Sequence, residues 1–306
     1  MEPLVTIAIP AYKATYLRES IASALAQTHT NIEVVIVNDH SPEDIDGIVN
    51  QYSDNRIHYF VNEHNLGAED PAANWNECLH HAQGKYFCLL CDDDIYAPTF
   101  VEELLQLTTQ HPECDVFRSG VRIIDADGNE RDRFPSSPEW ESVEEYMWHV
   151  YRSIRRQTIS EFMLRREALE TMGGYVRLAY AWGSDYLTIY RLALEHGIAS
   201  TTARLTTFRD SGLNISSDQK NMDDKLLAFN SYMQATRDII QENSFTCQAQ
   251  LLPFIDNYQR RAQVAHILEA DNKAFFRILA NQKLFGVNTR IIVHTLFKKL
   301  RNKLKR

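Results

Sequence analysis

Long apolar runs are missing from this 306-residue chain: none approaches the about 20 residues needed to cross a bilayer. The N-terminus also lacks the basic-then-apolar layout of a signal peptide, because Glu2 is followed at once by the strand-like segment LVTIAI. A cytoplasmic location is therefore expected. Glycine and proline are sparse, at 11 and 9, and 44% of the residues are hydrophobic against 24% charged. That balance excludes collagen-like, low-complexity and wholly disordered chains. The five cysteines (Cys78, Cys88, Cys91, Cys114, Cys247) are odd in number, and Cys88 with Cys91 has no second CxxC to complete a zinc site. They read as reduced core residues. No GxxxxGK phosphate loop and no GxGxxG fingerprint occurs, which argues against kinases and dinucleotide oxidoreductases.

The net charge of −9 is unevenly spread. From Arg290 to the end there are seven basic residues and no acid, which leaves −16 on the preceding 289. An acidic body argues against nucleic acid as a partner, since phosphate contacts need a basic face. The same terminal stretch places Ile292, Leu296, Leu300 and Leu304 at spacing four, with Val293 and Phe297 alongside and the bases off that stripe. Residues 290–306 fit either a helix lying on an anionic membrane surface, with the protein peripheral to it, or an ordinary docked C-terminal helix.

Five nearly continuous apolar runs (4–9, 32–37, 57–61, 85–91 and 114–124) have the character of strands buried on both faces. Helical patterns lie between them. One begins at Ser41-Pro42, with Ser41 as cap. Another begins at Asp70-Pro71 and sets Trp75, Cys78, Leu79 and Ala82 on one face, and a third starts at Pro98. This alternation predicts an α/β fold, an open, mostly parallel, Rossmann-like sheet flanked by helices, with its ligand at the carboxyl ends of the strands. A hairpin turn is expected at 125–129 and a short helix ending at Gly173-Gly174. From about 221 onward the pattern is helical, so the chain divides into 1–215, with halves at about 1–120 and 121–215, and a helical extension 216–306.

The densest chemical signal is Leu90-Cys91-Asp92-Asp93-Asp94 followed by Pro98. Three consecutive carboxylates at the end of a buried strand repel one another unless a cation offsets them, and oxygen-only ligands suit Mg²⁺ or Mn²⁺. A solvated turn capping the next helix is the plainer alternative. The second signal is Asn38-Asp39-His40-Ser41 directly after a strand, and Asp39 there is equally at home in an Asx turn. The third is Pro10-Ala11-Tyr12, ending the first strand.

In this order and spacing, together with Asn65-Leu66-Gly67 and Ala82-Gln83-Gly84, these motifs resemble the inverting family 2 glycosyltransferases of the GT-A fold. The resemblance covers residues 1 to about 215. It implies that Pro10, Ala11 and Tyr12 line a nucleotide pocket, that Asp39 accepts a hydrogen bond from the base, and that Asn65 and Gly67 border it. Asp92 would lie near the ribose or metal, Asp93 and Asp94 would bind Mn²⁺ or Mg²⁺, and Arg209 would touch the diphosphate. Asp185, in Trp182-Gly183-Ser184-Asp185, would be the base that deprotonates the acceptor hydroxyl. The plainer reading of Asp185 is a helix cap, and Trp182 fits either an acceptor-stacking ring or the core. Trp75 reads as core. The chain departs from the family pattern at Cys91, where an Asp is usual, at Trp75, where an Arg is usual, at Ser184 for Glu, and at Ser211 for a metal-ligating His.

The implied activity is transfer of a sugar from a nucleotide-sugar donor, UDP-linked in many members, to a saccharide acceptor. The expected acceptor is polyprenyl-linked, in the synthesis of a surface polysaccharide. Nucleotidyl transfer, or non-catalytic binding of nucleotide sugars on the same fold, are the alternatives the sequence leaves open.

Overall fold

A computed structural model of the chain describes residues 2–68, 70–212 and 221–304, the side chains of 299–304 excepted. The apolar runs become strands, all but the edge strand at 57–61 largely buried on both faces. β1 (Val5–Ala11), β2 (Ile32–Asn38), β3 (Ile57–Val61) and β4 (Tyr86–Leu89) are parallel and ordered β3-β2-β1-β4. Alternation along each strand feeds two apolar layers. Val5, Ile7 and Ile9 enter one, while Ala8, Val35 and Val37 enter the other.

Six further strands extend this sheet: β5 (Ile95–Tyr96), β6 (Val116–Asp125), β7 (Glu130–Arg133), β8 (Trp140–Glu141), β9 (Phe162–Arg165) and β10 (Ile198–Asp210). The full order is β3-β2-β1-β4-β9-β6-β10-β5, with β7 beside β6 and β8 beside β10. β6 does not pair with β4. The much later β9 lies between them, antiparallel to both.

One apolar layer is covered by α1 (Leu17–Leu25), α2 (Ile45–Val49) and α4 (Phe100–Gln110). The opposite layer carries α3 (Pro71–His80), α5 (Val143–Tyr151), α6 (Arg166–Thr171), α7 (Ser184–Leu192), α8 (Met222–Glu242), α9 (Gln248–Glu269), α10 (Asn272–Ala280) and α11 (Thr289–Leu304). Leu226 and Phe229 of α8, Ile255 of α9 and Ile292 of α11 belong to the same continuous cluster as Val35 and Phe87 of the sheet. The expected boundary at 215–216 lies outside the described residues. Among the described residues no helix is long and apolar enough to cross a membrane.

Local capping sets several helix starts. Asp70 accepts the Ala73 N–H, with Pro71 in the first turn, so α3 begins as expected. α2 does not start at Ser41. Asp44 caps it by accepting from Gly47, while the Ser41 hydroxyl is drawn instead to the carbonyl of Tyr12. α4 starts at Phe100, two residues past Pro98. The expected hairpin forms between β6 and β7, with Asp125 accepting the N–H groups of Asp127 and Asn129. The apolar stripe of α11 splits. Ile291, Ile292 and Thr295 are buried, whereas Val293, Leu296 and Phe297 are exposed; the side chains of Leu300 and Leu304 lie outside those described.

Candidate active site

The carboxyl ends of β1, β2 and β4 open on a recess of about 350 Å³, lined by Pro10, Tyr12, Lys13, Asp39, Asn65, Gly67, Asp92 and Asp93 with parts of α3. Ala11 lies beneath it, fully buried, and its carbonyl accepts the Asp39 N–H at 2.9 Å. Asp39 organises the wall opposite. Its carboxylate accepts from the Leu66 N–H at 2.8 Å, the Gly67 N–H at 2.7 Å and the Asn62 amide at 2.8 Å. Only glycine fits at 67, because a Cβ there would stand 2.8 Å from Asp39 Oδ2. Asn65 Oδ1 is buried with no hydrogen-bond partner among the described residues. A buried acceptor on a recess wall calls for a donor from outside the protein.

The three acids after β4 separate into different roles. Asp92 Oδ2 accepts the N–H groups of Tyr12 (2.8 Å) and Lys13 (2.7 Å), so it ties the exit of β1 to that of β4. Burial, with the like charge of Asp93, raises its pKa to about 6 against the opposing pull of Lys13. Asp93 also lines the recess, with Lys13 Nζ at 3.4 Å from its Oδ2. Burial alone would ease the proton off Lys13, but Asp92 and Asp93 outweigh it and hold the ammonium above its usual pKa. Asp94 is fully buried and accepts from the Ser160 hydroxyl (2.6 Å) and the Arg209 N–H (3.0 Å). Desolvation and Asp93 raise its pKa. The Arg209 guanidinium is buried too: it donates to the Asp93 carbonyl, pairs with Glu19 at 2.6 Å and lies over the Tyr16 ring at 4.1 Å. It borders a neighbouring recess with Tyr16 and Glu19, so Lys13 is the cation among the side chains lining the first.

A second recess, about 370 Å³, shares Trp75, Cys91 and Phe208 with the first. Gln157, Trp182, Asp185, Tyr186, Tyr232 and Tyr258 are among its other walls. Gly183 sits at φ 90° as the N-cap of α7, and a Cβ there would come within 2.4 Å of the Tyr232 ring. No side chain caps this helix; Asp185 is the second residue of its first turn, a favourable end of the helix dipole for a carboxylate. Gln157 Nε2 donates to Asp185 Oδ2 at 3.2 Å, and Gln157 Oε1 accepts from Tyr146 Oη at 2.9 Å. Burial raises the Asp185 pKa to about 6, the Tyr186 N–H and Gln157 offsetting part of the shift. At neutral pH such a group is ionised and still basic enough to take a proton.

Trp182 packs against the interior and also faces the second recess. Its ring meets His266 edge-on at 5.2 Å and the Lys225 ammonium at 5.4 Å, and it also borders the recess. Trp75, read from sequence as core, packs edge-on against Tyr175 at 5.6 Å yet forms part of the wall common to both recesses. Ser184 fastens the loop above α7: its hydroxyl accepts the Leu178 N–H, while Thr188 bridges the Ser184 carbonyl and the Val176 N–H.

Sequence reasoning missed Lys13, Gln157 and Ser160. Lys13 directly follows the Pro10–Tyr12 motif, so its position was available there. Gln157 and Ser160 lie in an unpatterned stretch that Arg118 of β6 holds in place. Its guanidinium pairs with buried Glu161 and donates to Ser137 Oγ (2.8 Å) and the Arg156 carbonyl (2.7 Å). The segment so pinned carries Gln157 to Asp185 and Ser160 to both Asp94 and the Cys91 N–H (3.1 Å).

The family model for glycosyl transferase family 2 matches residues 6–173. An uncharacterized glycosyltransferase of Rickettsia typhi is 39% identical over 125 residues, 40% of this chain and 38% of that protein. The putative teichuronic acid biosynthesis glycosyltransferase TuaG of Bacillus subtilis is 33% identical over 141 residues, 45% of this chain and 54% of its own length. The matches thus span about half or less of these relatives. Among solved structures, S. aureus TarS 1–349 in complex with UDP-GlcNAc aligns with a TM-score of 0.58 at 15% identity, over 89% of this chain and 83% of that one. TarS 1–349 in complex with UDP gives a TM-score of 0.54 at 15% identity, over 89% and 82%. The likeness establishes the fold, the GT-A α/β arrangement expected from the motifs.

Proposed function

The chain belongs to glycosyl transferase family 2, and from that premise we propose that it moves a sugar from a UDP-linked donor to a saccharide hydroxyl with inversion at C1. The observation that carries this reading is the shared wall of Trp75, Cys91 and Phe208, which sets a carboxylate-lined recess beside the one holding Asp185. The nucleotide takes the first recess, where Asn65 Oδ1 lacks a donor and Asp39 shapes the loop that borders it. Pro10 and Tyr12 line this pocket over buried Ala11, and Asp92 keeps their loop in place. The acceptor takes the second, with Trp182 along one wall. Asp185 accepts the proton of the acceptor hydroxyl as it attacks C1, and Lys13 offsets charge gathering on the departing diphosphate. For Arg209 to share that task, its pair with the exposed edge at Glu19 has to open.

The donor set fits Mn²⁺ or Mg²⁺: oxygen-only, anionic and at the recess wall. No group of three metal-ligating side chains stands together among the described residues, so Asp93 would hold the ion and the diphosphate would supply further oxygens. Asp94 is fully buried and does not line the recess, so it joins only if its carboxylate turns toward it. The ion, when bound, supplies Lewis-acid stabilisation of the leaving diphosphate. TuaG, a putative teichuronic acid biosynthesis enzyme, supports surface-polysaccharide synthesis as the setting. The basic stretch 290–306 supports a lipid-linked acceptor met at the inner face of the cytoplasmic membrane.

The test is release of nucleoside diphosphate from a panel of nucleotide sugars with Mn²⁺, for wild type and Asp185→Asn. Turnover by wild type that is lost in the variant or with a chelator supports the reading. A donor that binds but never turns over, with lipid or oligosaccharide acceptors present, leaves a non-catalytic binder. Retained configuration in the product would overturn the displacement mechanism.

A further inference from the structure

α9 and α11 pack together and leave an open cleft of about 590 Å³ between them. Arg260 and Arg261 of α9 line one side; Arg290, His294 and Lys298 of α11 line the other. Val264 and Ile291 form an apolar floor, and no acid is among the lining residues. On a chain whose first 289 residues carry −16, this is a local reversal of sign. Beside it on α11, Val293, Leu296 and Phe297 stand at i, i+3 and i+4, so they share one sector of the helix surface next to the basic one. They are 44%, 38% and 69% exposed. An anion-holding cleft flanked by unburied apolar side chains matches a partner that is both negatively charged and apolar.

α9 also links this surface to the second recess. Tyr258 borders that recess, while its neighbours Asn257, Arg260 and Arg261 line the cleft. We propose that the α9–α11 cleft binds the phosphate headgroups of an anionic bilayer, with Val293, Leu296 and Phe297 entering the headgroup layer, so that a lipid-borne acceptor is met one helix away from Asp185. This deepens the membrane-side reading of residues 290–306 and rests on it. What it adds is that two arginines of α9, outside that stretch, are half of the binding site.

The full-length chain is sedimented with vesicles of phosphatidylcholine alone and with about one part in three phosphatidylglycerol. Three variants are compared with wild type: a cleft variant (Arg260→Gln with Arg261→Gln), an apolar variant (Phe297→Ser), and a tail variant (Arg301→Gln, Lys303→Gln and Lys305→Gln). Each basic residue near an anionic surface contributes enough that two lost charges weaken partitioning by about 10- to 30-fold. The expected result is that only phosphatidylglycerol vesicles bind wild type. The cleft variant then loses about 10-fold or more and Phe297→Ser a smaller factor, with nucleoside diphosphate release on a soluble acceptor unchanged in both. If the tail variant loses binding while the cleft variant matches wild type, the cleft assignment is overturned and the membrane-side reading stands. If wild type fails to bind phosphatidylglycerol vesicles, both fall, and an acidic protein becomes the fitting partner for the cleft.

Discussion

The two recesses beside Trp75, Cys91 and Phe208 are built in opposite ways. The first is made at the ends of parallel strands, largely from short loops, 12–16 after β1, 39–44 after β2 and 90–94 after β4, with Asn65 to Ala68 and the start of α3 closing it. Each loop's register follows from the strand before it, and backbone N–H groups donating to the Asp39 and Asp92 carboxylates lock the loops to one another. The second is assembled from a pinned segment at 157–161, a left-handed turn at Tyr180, Ala181 and Gly183, and the flanks of α8 and α9. Local hydrogen bonds shape its turns, but its walls are brought together only by distant contacts. A sheet supplies a generic ligand edge, whereas the second recess is specified largely by contacts between residues far apart in sequence.

The largest effect that can break this contrast is expected at Asp185. Asp185→Asn keeps the shape and removes the proposed base, so kcat should fall by about 10²- to 10⁴-fold, while UDP affinity by calorimetry stays at the wild-type value. A variant that retains turnover would return Asp185 to a structural role. Next comes Asp39→Ala, which strips partners from two backbone N–H groups and the Asn62 amide. The cost is about 2–4 kcal/mol, read as a fall in Tm of roughly 5–10 °C together with weakened UDP binding. An unchanged melting curve would show that the 65–67 loop holds itself.

A pH profile sharpens the acceptor side. The base proposed at Asp185 would act in its charged form, and its pKa is raised to about 6, so kcat/KM should level off above that pH and drop tenfold per unit below it. The Gln157 hydrogen bond favours the charged form and pulls this pKa down. Gln157→Leu should therefore move the midpoint upward and lower kcat/KM at neutral pH by about 2-fold for a rise of one unit and about 10-fold for a rise of two. A profile with an unmoved midpoint would mean that Gln157 only fills space. The smallest effect is Trp182→Ala, which should raise the acceptor KM by about 2- to 10-fold through lost ring contact without altering donor hydrolysis in the absence of acceptor.

Legibility in the sequence follows the same divide. β1 to β4, α3 and the Asp92–Asp94 motif were readable because apolar runs and caps are local signals. Ser41 was misjudged as a cap because its hydroxyl is taken by the Tyr12 carbonyl, a contact across two strands. Trp75 reads as core on its helical face and is core against Tyr175, yet its place beside both recesses depends on where 157–161 and Phe208 come to lie. Lys13 sits next to a recognised motif, but its charge acquires a purpose only once the end of β4 brings Asp93 within 3.4 Å.

By itself the sequence determined the alternating α/β order, the strand ends at which ligands gather, and the basic, acid-free C-terminal stretch, because each is set by residues within one element's length. Tertiary structure alone decided that β9 parts β4 from β6 and that Asp94 is buried against Ser160. It also decided that Gln157 reaches Asp185 and that α9 brings Arg260 and Arg261 opposite α11. Those arrangements join segments tens of residues apart, and their energy comes from buried ion pairs, hydrogen bonds and packing that exist only after the sheet has closed its order.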